Sequence, residues 1–141
     1  MRGQDFLVVA KNLMKSPFEA SVRSAISRAY YALLNSAVEL LTGLGFSVEQ
    51  GPGKHGQVRN RLSNSGVAQL VDFSHIFDEL RTQRNAADYN MKSKEFQNQP
   101  ICALRIAKTE LAIGLLTECN KEPLRSQIRT NIREYDRKIA S

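Results

Sequence analysis

Apolar residues recur every three to four positions along almost the whole of this chain, and no segment sustains the alternation that a half-buried strand requires. That period leaves helices as the building material, each with a stripe that must find another helix to cover it. Phe6, Val9, Ala10 and Leu13 predict a short first helix. Val22, Ile26, Ala29, Leu33, Ala37, Leu40 and Leu44 predict a long second one, and Val58 and Leu62 a short third. Val67, Leu70, Phe73, Phe77 and Leu80 mark a fourth, Ile101, Leu104, Ala107, Leu111 and Leu115 a fifth, and Leu124, Ile128, Ile132, Tyr135 and Ile139 a sixth.

The residues between the stripes say where helices stop. Ser16 and Glu19 have the spacing of a capping box, and Pro17 suits a first helical position, where its missing N–H has no partner to lose. Gly45 reads as a left-handed cap, followed by an irregular loop to Gly53. Ser65-Gly66 breaks the chain again, a polar loop from Asn90 to Gln99 leads to Pro100, and Pro123 opens the last helix. At 141 residues the chain predicts one domain, with a core over about 5–118 and a basic helix over about 123–140. The expected fold is all-α, an antiparallel up-and-down bundle with short extra helices.

Other architectures and chemistries are disfavoured. No stretch reaches the ~20 apolar residues of a membrane span, and the N-terminus lacks a leader's cleavage signal, so the expected location is cytoplasmic. Cys102 and Cys119 fall on one predicted helix, about 25 Å apart, too far for a disulfide. His55 and His75 stand far apart, with no zinc-site spacing around them, so neither metal nor cofactor is expected.

The formal charge is +6, biased toward the C-terminus. There Arg125, Arg129, Arg133 and Arg137 recur every fourth residue as a basic ridge. Such a ridge either contacts phosphates without reading sequence, or is a solvated face whose stems cover the stripe beside it. The fourth helix is more informative. Arg84 occupies the next position on the stripe of Phe73, Phe77 and Leu80, with Arg81 a turn before, Asp88 a turn beyond and Asn85 beside it. Charge on an inward face is costly unless paired or placed along a cleft. Two readings follow: a functional cleft, or an Arg84–Asp88 ion pair tying the helix end to the loop. For Tyr30 and Tyr31 the expectation is packing, one toward the core and one toward a neighbouring helix or second chain. Gly51-Pro52-Gly53-Lys54 lacks the spacing and preceding strand of a P-loop.

The runs SVRSAISRAYYALLNSAVELLTGLG, KHGQVRNRL and ELRTQRNAADYNM occur in that order. Together they resemble the HEPN superfamily of small helical proteins, over about residues 5–117. The resemblance implies a bundle that forms a two-fold homodimer in which the arginine motifs of both protomers share one cleft. Active members are metal-independent ribonucleases carrying an arginine followed, after four to six residues, by a histidine. The arginine steadies the scissile phosphate and the histidine moves protons; some members are toxins paired with a nucleotidyltransferase antitoxin. Here the histidine's place after Arg84 is taken by Tyr89, whose ordinary pKa of about 10 suits a general base poorly near neutrality. His55 is the one nearby substitute, or else a structural contact to the fourth helix.

Three functions therefore compete: a HEPN-like dimer that binds RNA or a nucleotide in a toxin–antitoxin or defence setting; a ribonuclease toxin; and a purely structural adaptor. The candidate catalytic residues are Arg84, Asn85, Asp88, Tyr89 and His55. Arg81, Arg125, Arg129, Arg133 and Arg137 are the candidate nucleic-acid contacts.

Overall fold

The computed structural model describes residues 1–141 and is all-helical, with no strand. Its α-helices are α1 (Asp5–Leu13), α2 (Glu19–Gly43), α3 (Lys54–Ser63), α4 (Ala68–Tyr89), α5 (Gln99–Cys119) and α6 (Leu124–Ala140), with a short 3-10 helix at Glu95–Gln97. No helix is long and apolar enough to cross a membrane. The helix α2 runs through the middle, packed against α1, α4 and α5. Its small residues explain how three neighbours fit: Ala25, Ala29, Ala32 and Ala37 are all fully buried, which lets other helices approach closely. Phe73 and Phe77 of α4 fill the space opposite. Val58 and Leu62 seat α3 on the bundle, and Ile128 and Ile132 bury one stripe of α6.

Several helix ends follow the sequence and one does not. Gly45 adopts φ +98°, and the amides of Gly45 and Phe46 bond back to Thr42 and Leu41, closing α2 with a Schellman turn. Ser16 and Glu19, by contrast, form no capping box. Phe18 is the extended residue before α2, the Ser16 hydroxyl reaches only its amide, and the Glu19 carboxylate turns to Arg23 instead. The competing charge of Arg23 wins the carboxylate.

The larger correction concerns α5. Its buried face is Cys102, Ile106, Thr109, Ala112, Leu116 and Cys119. The stripe expected to be core faces outward: Ile101 is 45% exposed, Leu104 58% and Leu111 66%, with only Leu115 half-buried. This helix is apolar on two faces, so its period alone cannot say which one the bundle covers. The polar loop before it also hides an anchor, since Phe96 in the 3-10 helix is buried beneath the Arg23 guanidinium.

Candidate phosphate-binding cleft

On α2, Arg23, Ser27, Tyr30 and Leu34 follow a four-three-four spacing, so they share one face. That face meets the C-terminal half of α4. At one end Arg23 is buried and donates to the carbonyls of Ala86, Ala87 and Asn90 at 3.2, 3.0 and 3.0 Å, and to those of Met91 and Ser93 at 3.4 and 3.1 Å. These include carbonyls that a helix end leaves without partners. It is Arg23, not the Arg84–Asp88 pair, that ties the end of α4 to the following loop.

The same face then builds a cleft of about 370 Å³. Tyr30, Tyr31 and Leu34 supply one wall, Arg81 and Arg84 another, and Gly51, Pro52, Lys54 and His55 close the third side. Its lining holds three permanent cations and no carboxylate. The Arg84 guanidinium lies 5.0 Å from the centre of the Tyr30 ring and 5.7 Å from that of Tyr31, within reach of cation–π attraction. Its Nη1 stands 3.6 Å from Asp88, and Asp88 in turn accepts from the Ser27 hydroxyl at 3.3 Å. The Arg84 Nε is buried and has no hydrogen-bond partner. A buried donor left unsatisfied costs about 1–3 kcal/mol.

Beside Arg84, His55 is buried and fixed from both sides. The Tyr30 hydroxyl is 2.9 Å from Nδ1, and Asp78 is 2.9 Å from Nε2. Arg59 holds the other Asp78 oxygen at 2.9 Å. An ionised carboxylate only accepts, so Nε2 carries the proton and Nδ1 accepts from Tyr30. Burial acts to raise the Asp78 carboxyl, but hydrogen bonds from His55 and Arg59 outweigh it and hold it below its ordinary value. Phe77 stacks 4.0 Å from the His55 ring and 5.6 Å from the Tyr30 ring, which locks both. Burial raises the Tyr30 hydroxyl above its ordinary pKa against the pull of Arg84 and Arg81, so it stays a donor.

Burial also pushes the His55 imidazole below its ordinary 6.5; the hydrogen bond to Asp78 opposes this without overcoming it. The unfolded chain therefore takes up a proton at a pH where the folded one does not. The stability this ring contributes is present above pH 6.5 and is lost as pH falls from there through the folded value. Melting temperature is expected to drop on acidification from about pH 7.5 to about pH 5.5, and His55→Gln to flatten the drop. Parallel profiles for the two proteins would refute the assignment.

The structure brings Arg81, Arg84, Asp88 and His55 together, but not the other two candidates on α4. Asn85 is exposed and lines no part of the cleft. Tyr89 is 75% exposed, because five residues beyond Arg84 carry it about 140° around the helix. The C-terminal ridge is largely engaged within the chain. Arg125 donates to the Gly43 carbonyl at 2.9 Å and Arg129 to that of Leu44 at 3.2 Å, satisfying the end of α2. Arg137 pairs with Glu134 at 3.0 Å, which leaves Arg133 exposed without a partner. Tyr30, Lys54, Asp78 and Arg23 were not singled out as site residues by sequence. The polar line running beside the apolar stripe of α2 was the available signal for Arg23 and Tyr30. Comparisons with protein-family models, curated proteins and solved structures find no match for this chain.

Proposed function

We propose that this chain is a HEPN-like protein, an up-and-down bundle working as a two-fold homodimer, that binds the phosphates of single-stranded RNA or of a nucleotide in the Arg84 cleft. The observation that carries this reading is a cleft lined by Lys54, Arg81 and Arg84 beside Tyr30 and Tyr31, with no acid in the lining. Cations beside aromatic rings are what unpaired nucleotides use, phosphates on the one and bases stacked on the other. Tyr31, half-buried at the cleft, offers such a ring. The resemblance supports a toxin–antitoxin or defence setting with a nucleotidyltransferase partner; the cation-lined cleft argues against the purely structural adaptor.

One observation favours a second reading, a metal-independent ribonuclease. His55 shares the cleft with Arg84, and its Nδ1 faces the Tyr30 hydroxyl. A 2′-hydroxyl bound there would pass its proton to Tyr30 as Tyr30 passes its own to His55, while the 2′-oxygen bonds to the adjacent phosphorus and the P–O5′ bond breaks. The imidazolium, stabilised by Asp78, returns a proton through Tyr30 to the departing 5′-oxygen, and Arg84 offsets the charge on the phosphoryl oxygens.

The binding reading is tested by the salt dependence of affinity for a fluorescent single-stranded RNA. Each phosphate contact contributes about −0.7 to the log–log slope, so three cleft cations predict a slope of about −2. Arg81→Gln is expected to weaken binding and flatten the slope by about 0.7, whereas Arg133→Gln leaves both unchanged. A slope that responds to Arg133 and not to Arg81 would transfer the binding to the C-terminal ridge.

A further inference from the structure

The outward face of α5 carries Ile101, Leu104, Lys108, Leu111 and Leu115 in a three-four-three-four spacing. That is the period by which one helix meets another along a seam, with one polar position set among apolar ones. The seam extends for about 21 Å along the helix. It is bordered on one side by the α4–α5 groove, where the half-buried Ile76 adds apolar surface. Surface this apolar and this continuous is uncommon on a chain that stays alone in water.

The seam also reads nearly the same from either end. Counted outward from Lys108, Leu104 and Leu111 come first, and Ile101 and Leu115 come second. Such a pattern is self-complementary when two copies run antiparallel, the requirement of a two-fold interface. Its charges fit the same arrangement. Glu79 and Lys108 line the one groove, yet neither takes part in any ion pair within the chain.

We propose that the outer seam of α5 packs antiparallel on the same seam of a second copy of this chain, with the two-fold axis at Lys108. Leu104 then meets the other copy's Leu111, and each Lys108 reaches the other copy's Glu79. This gives a surface to the two-fold dimer, and it rests on that part of the functional reading. It also sets the dimer apart from the cleft. On α4 the groove is lined by Ile76, Glu79, Leu80 and Gln83 and the cleft by Arg81 and Arg84, two directions roughly a third of a turn apart. Each protomer keeps its own open cleft, in contrast to the single shared cleft that the family resemblance implies.

Light scattering on the full chain, with RNA affinity measured in parallel, tests the seam. The wild type is expected to be a dimer at micromolar concentration. Leu104→Glu together with Leu111→Glu should raise the dimer dissociation constant by roughly a hundredfold or more. Because both residues are exposed and outside the cleft, helicity and RNA affinity per chain should not change. Lys108→Glu and Glu79→Lys should each weaken the dimer, and the two together should restore it, an outcome that non-specific apolar association would not give. A monomeric wild type, a dimer indifferent to Leu104 and Leu111, or a charge swap that restores nothing would overturn the interface. A wild type that dimerises as described but binds no RNA overturns the functional reading alone, and a monomer that binds RNA does the reverse.

Discussion

Replacing Arg23 with Ala is expected to destabilise the fold by about 3–5 kcal/mol, a large part of what a domain this size possesses. The guanidinium is buried and holds five carbonyls from the end of α4 and the loop beyond it, with Glu19 as its counter-ion. Removing it leaves the buried Ala87 carbonyl without this donor, an unsatisfied group that costs about 1–3 kcal/mol, and takes a charge-assisted bond from each of the four part-buried carbonyls. It also removes the cation that lies 4.6 Å over Phe96, the anchor of that loop. Arg23→Lys should recover only part of the loss, because one ammonium cannot reach five acceptors spread across a planar fork. Urea titrations of the three proteins give the measurement: the midpoint should fall most for Ala and less for Lys, with the slope retained. A midpoint within error of wild type for Arg23→Ala would mean the loop carbonyls find other partners.

The contrast between Arg23 and α5 shows what the sequence can and cannot convey. Helix number and approximate limits were legible because local propensity, caps and period agreed: Gly45 closes α2, Pro100 lies in the first turn of α5, and Pro123 immediately precedes α6. The covered face of α5 was not legible, since the helix offers an apolar stripe on each side and only the packed structure chooses between them. Ser16 and Glu19 had the right spacing for a cap, but a cap is a competition, and the partner that won was a cation one turn away. The cleft was half legible. Arg84 announced itself by interrupting an apolar stripe, and Arg81 followed by spacing. His55 joined them only because α3 folds back onto α4, a long-range event that no local pattern encodes. Tyr89 is moved out by a local fact, the helical period, which sets it about 140° around α4 from Arg84: adjacency in the motif did not become adjacency in space.

Arg84→Ala is expected to lower RNA affinity by tenfold to a hundredfold while leaving the fold nearly intact. Its partner Asp88 retains the Ser27 hydroxyl and about a third of its solvent exposure, so it is not abandoned in an apolar core. The stability cost should then be about 1 kcal/mol, well short of the 3–5 kcal/mol that an isolated buried carboxylate would bring. Affinity falls because the lost group is one of the three cations that line the cleft. Arg84→Lys should restore part of the binding, since charge returns but the planar group resting on Tyr30 and Tyr31 does not. If the cleft also cuts RNA, cleavage in EDTA should fall by a hundredfold or more in Arg84→Ala, the usual cost of losing a transition-state charge contact. His55→Gln would then abolish cleavage with binding retained. Tyr89→His should confer nothing, because that side chain projects away from the cleft. Binding that survives Arg84→Ala unchanged would remove the cleft from the function altogether. Cleavage that appears on Tyr89→His would mean the motif operates across two chains rather than within one.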